Sequence, residues 1–269
     1  MKTTLALSLM GITMVLSACG GTADIRPNDL QGQITTQQRQ RGSDAFAAML
    51  KAHGGLDTWR QFDKVETRFR DEWTNSLFFQ FTPYDDNNAQ ASLEAWLHHF
   101  PYSRIAFLEG DGKGEVWIAK GQEVQRLKGG HLQVQSAASD TFFTVFVQNP
   151  EMMVGVPFRL ASADQVAYAG ERTWRGQTYE TVLLSWGTFE PQESVDQWLL
   201  YINRNTGLLE LTEFTVRMSG QSQVGTYHYR DFKEVAGMML PHRMDAYLSK
   251  DDDGPVHIYR FDHLHFSRR

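Results

Sequence analysis

From residue 65 onward, apolar and polar positions alternate with a period of two, and this pattern predicts a long series of β-strands. In the first strand the alternation runs from Val65 to Trp73, and the intervening positions, Glu66, Arg68, Arg70 and Glu72, are all charged. Because successive side chains of a strand point to opposite faces, one face of this strand should meet water. Further strand candidates, separated by turns, are 92–100, 104–108, 115–120, 123–127, 165–171, 179–186, 195–203, 208–218, 223–234, 239–248 and 256–266.

A first helix interrupts this alternation before the strands begin. Phe46, Met49, Leu50 and His53 are spaced at i, i+3, i+4 and i+7, so they share one helical face. Ser43 is a good N-cap residue, and the two glycines after His53 are typical of a helix end. The pattern therefore predicts a helix that begins at residue 43.

A second helical region lies in the middle of the chain. Its apolar stripe begins after residue 139, and Asn149-Pro150 is typical of a cap followed by proline at the first position of a second, short helix. Gly155 is a candidate end of that helix, and Pro157 should bar any continuation. Many strands with helices only near the start and the middle predict an α+β protein with one antiparallel sheet or partial barrel.

The beginning of the chain has the pattern of a secretory leader. Met1-Lys2 is followed by an apolar run from Leu5 to Leu16, which is shorter than the roughly 20 residues that a membrane-spanning helix needs. The run ends in Leu16-Ser17-Ala18-Cys19, which is similar to the lipobox of bacterial lipoproteins. That resemblance implies a signal peptide over residues 1–18, with Cys19 carrying a diacylglyceryl group and an acylated (palmitate-type) amino terminus.

The residue after the cysteine bears on location. Gly20 stands where an aspartate would imply retention at the inner membrane, so the resemblance implies an outer-membrane anchor facing the periplasm. Residues 19–41 are polar and rich in glutamine, and we expect them to be a flexible tether. Residues 42–269 would then form a single domain.

Composition narrows the functional classes. The formal net charge is −6 and there is no basic cluster, so nucleic acid is a poor electrostatic partner. The same negative charge attracts anionic lipid head groups poorly, so membrane attachment must come from the acyl chains on Cys19. Because Cys19 is the single cysteine, neither a disulfide nor cysteine catalysis is expected.

Four fragments are informative through their order and spacing: His53 to Trp59, Pro157 to Leu160, Asp196 to Trp198 with Tyr201 to Gly207, and Val235 to Pro241. Together they resemble an uncharacterised family of bacterial envelope lipoproteins that is similar to the lipoprotein-carrier (Lol-type) superfamily of periplasmic lipid-binding domains. The resemblance implies a strongly curved antiparallel sheet, an incomplete barrel, with helices plugging its concave face. In the carriers that concavity binds acyl chains, and the family supplies no catalytic motif.

Apolar side chains of the middle helical region are the best ligand candidates, since methionine adapts to irregular apolar guests and small-molecule pockets are mostly apolar. Three aromatic residues on the strands are expected to line the same concavity. All of these side chains would equally suit a filled core. The candidates are Phe142, Phe143, Phe146, Met152, Met153, Trp96, Trp198 and Phe214.

Other chemistry has weaker support. His257, His263 and His265 share a strand face, but no further ligand with convincing spacing accompanies them, so we expect neither a metal nor another cofactor. The favoured function is a non-enzymatic lipoprotein that binds an acyl chain or another apolar molecule. The alternative is an envelope interaction or structural protein with a filled core and a protein partner. A hydrolase assembled from distant strands is the third hypothesis.

Overall fold

Thirteen strands form a single antiparallel sheet in the computed structural model, which describes residues 22–80, 82–97, 102–120, 123–133, 137–217 and 223–268, with the backbone alone at 137–145 and 223. The strands are β1 (Lys64–Trp73), β2 (Asn88–Trp96), β3 (Tyr102–Phe107), β4 (Glu115–Lys120), β5 (Glu123–Lys128), β6 (His131–Gln133), β7 (Gln165–Trp174), β8 (Gln177–Ser185), β9 (Trp198–Asn203), β10 (Leu209–Val216), β11 (Gln223–Val235), β12 (Met238–Tyr247) and β13 (His257–Ser267).

The two halves of the chain meet at a single strand pair. The strand order is β6-β5-β4-β3-β2-β1-β13-β12-β11-β10-β9-β8-β7, so hairpin connections build each half and β1 pairs with β13 at the junction. The sheet is curved and does not close, which leaves β6 and β7 as its two edges. This is the incomplete barrel of the α+β class that the sequence predicts.

In the described part of the chain, four α-helices accompany the sheet: α1 (Thr36–Ala52), α2 (Leu56–Trp59), α3 (Ser76–Phe79) and α4 (Ala137–Arg159). Short 3-10 turns cover Asn28–Leu30 and Leu160–Ser162. Within these described residues, no helix has both the length and the hydropathy of a membrane span.

Two apolar clusters lie on opposite faces of the sheet. The inner core, on the face that carries α1 and α4, contains Phe46, Met153 and Leu200 among many others. The outer core contains Leu30, together with Leu199 and neighbouring side chains of β7 to β10. Every residue of β9 is buried, because this strand supplies side chains to both cores.

The alternation predicted for β1 is confirmed on its inner face. Val65, Thr67, Phe69 and Asp71 are all buried, and the charged residues between them are partly or fully exposed. Hydrophobicity does not explain the burial of the ionisable Asp71, whose carboxylate has a partner in His257.

Helix α1 begins seven residues earlier than predicted. The N-cap is Thr35, whose hydroxyl accepts from the Gln38 N–H at 3.2 Å while the Gln38 side chain accepts from the Thr35 N–H at 2.9 Å. This reciprocal capping box satisfies two otherwise unpaired N–H groups. Position 42, inside the helix, requires glycine because a Cβ there would stand only 2.5 Å from the backbone of Ala167 in β7.

The prediction of a flexible tether over residues 19–41 is wrong for the residues that the structure describes. We call residues 23–35 the N-terminal arm. The arm crosses the outer face of the sheet, where the Leu30 side chain is fully buried and Ile25 and Ile34 pack against the outer core. The low apolar content of the arm concealed this packing, because few of its side chains are apolar and they follow no regular period.

The middle region is one helix, not two. Helix α4 continues through Pro150 and Pro157 to Arg159, so neither the predicted break at Asn149-Pro150 nor the bar at Pro157 is correct. Each proline removes one backbone N–H, but its fixed φ is compatible with a helix. Tertiary packing at the end of α4 outweighs the lost hydrogen bonds, as the Phe158 ring stacks against Trp59 with a centroid separation of 4.9 Å.

Candidate functional site

The structure distributes the predicted ligand residues over several environments. Cys19 lies outside the described residues. Phe142 and Phe143 belong to the part of α4 whose side chains are not described. Phe146 and Met153 are buried in the inner core, where the Phe146 ring meets Tyr84 edge-on at 5.4 Å.

Trp198 and Phe214 lie on the inner face of the sheet. Their rings stack with centroids 4.7 Å apart, and Phe214 also packs against Tyr227 at 4.5 Å. Both side chains are buried in the inner core. They therefore occupy this part of the concavity themselves.

Trp96 does not line the concavity, and that prediction is wrong. On β2 the side chains of Leu93 and Ala95 are buried in the inner core, so Trp96 points to the opposite face by alternation. There its ring meets Tyr102 edge-on at 4.5 Å, and the Lys64 ammonium lies 5.8 Å from its centroid. Trp96 is the largest apolar side chain of β2, but the inner face of this strand is formed by Leu93 and three alanines.

A cavity of about 470 Å³ opens where α2 and the end of α4 meet the residue that follows β2. Of the predicted ligand residues that the structure describes, Met152 is the one that lines it. Most of the lining is apolar, and the polar groups lie on three residues. The apolar lining residues are Leu56, Trp59, Leu97, Met152, Phe158 and Ala161, and the polar ones are Arg60, Arg159 and Ser162.

Trp59 forms one wall of the cavity, and the local sequence explains its position. Gly54 and Gly55 both have positive φ, which ends α1 and starts the single turn of α2. The indole then lies against α4 at Gly155, where a Cβ would come within 2.7 Å of the Trp59 ring. Glycine at 155 therefore permits the close packing of α2 on α4 and is not a helix end.

A buried ion pair within α4 supports the cavity lining at Arg159. The Arg159 guanidinium donates to the Glu151 carboxylate and, through Nη1, to the Leu97 carbonyl oxygen at 2.7 Å. Burial raises the pKa of Glu151, and the positive charge of Arg159 opposes that rise. Arg159 thus joins α4 to the end of β2, and its guanidinium carbon lies 5.7 Å from the Trp59 ring centroid.

His53 fixes the end of α1, and its ring lies edge-on to Phe158 of the cavity lining at 6.4 Å. Its Nε2 accepts from the Leu209 N–H at 3.0 Å, so Nδ1 carries the proton and donates to the Met239 carbonyl oxygen at 2.7 Å. The ring is fully buried, and burial lowers the pKa of His53 to about 4. Neutral His53 therefore ties α1 to β10 and β12.

A separate polar cluster lies on the inner face near the end of β1. His257 Nδ1 is 3.0 Å from the Asp71 carboxylate, and the His257 ring stacks on Trp73 at 4.3 Å. Burial raises the pKa of Tyr84 and Tyr259 well above the usual value, and the Asp71 charge adds to that rise. His257 thus pairs with an acid across the β1–β13 junction, a partner that sequence spacing could not identify.

In the part of the chain that the structure describes, no group of three or more His, Cys, Asp and Glu side chains is arranged to hold a metal ion. The His263 backbone has a positive φ at the irregular register between β1 and β13, so His263 does not continue a regular face with His257 and His265.

Sequence reasoning missed most of the cavity lining. Leu56, Trp59 and Leu97 were not proposed as ligand residues, although Leu56 and Trp59 belong to a fragment that was singled out for its resemblance. The glycine pair before them indicated a turn. The packing of α2 on α4 depends on the full length of α4, and Pro150 and Pro157 concealed that length.

Comparison with known proteins bears on the fold. No family matches the chain by sequence, and no curated protein matches it either. Among solved structures, the chain is similar to a LolA superfamily protein from Nitrosomonas europaea, with a TM-score of 0.51 and 12% identity over 85% of this chain and 94% of that one. It is also similar to a DUF1329 family protein from Desulfovibrio piger, with a TM-score of 0.51 and 10% identity over 84% and 92% of the two chains. With its curved, unclosed sheet and its helices on the inner face, the chain has a Lol-type fold.

Proposed function

We propose that this chain is a bacterial envelope lipoprotein whose domain binds an acyl chain or a similar apolar ligand without catalysing a reaction. The observation that carries the proposal is the cavity between α2, α4 and the end of β2. Its volume of about 470 Å³ falls within the range of roughly 300–1,000 Å³ that is typical of small-molecule sites.

The lining favours an elongated apolar molecule with a small polar group. Leu56, Trp59, Met152 and Phe158 would remove its hydrocarbon surface from water, which contributes about 25 cal/mol per Å² before the costs of association. Arg60 also lines the cavity, with most of its side chain exposed, and is placed to meet a polar or anionic group.

Anchoring forms the second part of the proposal. Residues 1–18 would be removed as a signal peptide, and Cys19 would carry the acyl groups that hold the domain at the outer membrane, facing the periplasm. The support for this part is the sequence pattern at Leu16 to Gly20. Multiple acyl chains would supply the two or more hydrophobic signals that stable anchoring requires.

An alternative function has an observation in its favour. Phe146, Met153, Trp198 and Phe214 are buried in the inner core, so these four side chains fill space between the sheet and the helices. A filled interior suits a structural or interaction lipoprotein that contacts an envelope protein through its surface. The experiment below separates the two functions.

The test measures lipid bound to the full chain. We expect native mass spectrometry of the purified protein to show a co-purified lipid, and a fluorescent fatty acid to bind in competition with it. Ala161→Phe places a ring in the cavity and should weaken fatty-acid binding by about tenfold or more. Ala163→Phe, two residues farther along and outside the cavity lining, is the matched control and should bind normally.

Circular dichroism and thermal unfolding would establish that both variants fold. No bound lipid, together with equal fatty-acid affinity in the two folded variants, would reject the cavity as a ligand site. The interaction function would then be favoured.

A further inference from the structure

The N-terminal arm is attached to the sheet from its first residues. The Ala23 carbonyl oxygen accepts from Arg217 Nη2 at 2.6 Å, and the Ile25 N–H donates to the Gln197 side chain at 3.1 Å. Arg26 forms an ion pair with Glu190 at 2.6 Å. We call the region formed by Glu190, Gln197 and Arg217 the anchor corner, because the arm joins the domain there.

The anchor corner is itself held in place. The Gln197 side chain is fully buried and donates to the Phe189 carbonyl oxygen at 2.9 Å, and its N–H donates to the Thr215 hydroxyl at 2.9 Å. Arg217 also donates to the Val195 carbonyl oxygen at 3.3 Å. The corner therefore joins the start of β9 to the end of β10 and should not yield when the arm is pulled.

Downstream of the corner, the arm is fixed by apolar packing. Leu30 is fully buried in the outer core, and the capping box at Thr35 joins the arm directly to α1. Because α1 packs against the edge strand β7 on the other side, residues 23–52 pass around that edge and hold both faces. A force on residue 23 is thus resisted by hydrogen bonds, by an ion pair and by a buried leucine.

The distance between the anchor and the domain follows from covalent geometry. Three residues, 20–22, separate Cys19 from Ala23. A fully extended chain advances about 3.3–3.6 Å per residue, so the Cα atoms of Cys19 and Ala23 lie at most about 14 Å apart. The linker between the cysteine and the arm is consequently short, although the composition of the region is typical of a long tether.

We infer that the anchor corner faces the bilayer that holds the acyl groups, so that the start of β9 and the end of β10 stay close to the lipid surface. This inference rests on the proposed acylation of Cys19. The partner is the phospholipid surface itself. The opposite end of the β9–β10 hairpin, at Asn205, is held away from that surface, because the six residues of β9 (Trp198–Asn203) span about 20 Å.

The test places a photo-crosslinking residue, benzoylphenylalanine, at one of two exposed positions. Glu193 lies next to the anchor corner, and Asn205 lies in the turn at the far end of the same hairpin. The full chain would be expressed in a bacterial host, and the acylated protein reconstituted in vesicles of phosphatidylethanolamine and phosphatidylglycerol. Crosslinks to phospholipid are expected to be about fivefold or more stronger from position 193 than from position 205.

A second variant tests the role of the short linker. Insertion of about 20 glycine and serine residues between Thr22 and Ala23 extends the reach by roughly 25 Å, and the preference for position 193 should fall below about twofold. Equal crosslinking in the acylated protein without the insertion would overturn the inference, and so would a preference that the insertion leaves unchanged.

Intact-mass analysis of the same samples separates this inference from the proposed function. A Cys19 without acyl groups would refute the anchoring part of the proposed function and this inference with it. An acylated Cys19 with equal crosslinking at the two positions would refute the orientation alone and leave the anchoring intact.

Discussion

His53 shows how one side chain couples the fold to pH. Both ring nitrogens are used, one as donor to Met239 and one as acceptor from Leu209, so a second proton on the ring would break the bond to Leu209. Burial also disfavours the charged ring, because the imidazolium loses its hydration in the interior and no neighbouring carboxylate compensates for that loss. The native state therefore favours the neutral form of His53 over the charged form.

The pKa of His53 predicts acid sensitivity. The native pKa is about 4 and the ordinary value is 6.5, so the unfolded state binds a proton first as the pH falls. The contribution of His53 to stability is complete above pH 6.5 and is lost between about pH 6.5 and pH 4. Replacement His53→Gln should reduce the difference in unfolding free energy between pH 7 and pH 4.5 by about 2–3 kcal/mol.

Urea unfolding at the two pH values measures this difference. His265→Gln, which changes an exposed histidine, serves as the control and should keep the pH dependence of the unchanged chain. His228, whose pKa is lowered to about 3 by burial and by neighbouring arginines, would still contribute to acid sensitivity in both variants. An unaltered pH dependence in His53→Gln would show that another group controls the acid response.

Among the structural elements, the N-terminal arm departs most from what its composition suggests. It has no regular hydrophobic period, so pattern analysis treats it as a linker. Its attachment depends on Leu30 and on hydrogen bonds to residues far away in sequence, such as Gln197. Such contacts leave no local signature.

Truncation of the Leu30 side chain tests the arm. Leu30→Ala should lower the free energy of unfolding by about 2–5 kcal/mol, as is usual for a fully buried leucine, whereas a flexible tether would tolerate the change. Gln33→Ala, an exposed position in the same arm, should change stability by less than about 0.5 kcal/mol. Thermal and urea unfolding of the two variants would give the comparison, and equal stability would mean that the arm does not support the fold.

Prediction from sequence succeeded where structure is local. The alternation of β1 and the glycine turns after His53 are determined by neighbours in the chain, and they were predicted correctly. Helix α4 was divided in two because local rules weigh Pro150 and Pro157 without the tertiary contacts that hold them. The position of Trp96 was predicted wrongly because the inner face of β2 is mostly alanine, and the largest apolar side chain of the strand lies on the other face.

The candidate site was harder to predict than the fold. Apolar residues of a half-barrel look alike in sequence whether they fill space or line it, and Phe146 and Met153 proved to fill it. The cavity depends on where Trp59 meets Gly155, a contact between residues almost one hundred positions apart. Its position follows from the packing of α2 on α4, which only the assembled molecule shows.

At the scale of the whole molecule, anchoring predicts where the protein is found. Cys19→Ser removes the acyl acceptor, and we expect the protein to move from the membrane fraction to the soluble fraction. Thr22→Ser, outside the Leu16 to Cys19 motif, should leave membrane association unchanged. Sedimentation of membranes followed by immunoblotting measures both, and a Cys19→Ser protein that still sediments with membranes to the original extent would refute the anchor.

The passage of residues 23–52 around the β7 edge has a practical consequence for protein production. A recombinant version shortened to begin at residue 42 would lack Leu30 and the Thr35 cap, and it would uncover apolar side chains on the back of β7 to β10. Uncovered apolar surface beside an open strand edge invites self-association. Soluble material for ligand screening or crystallisation should therefore start at or before Ala23.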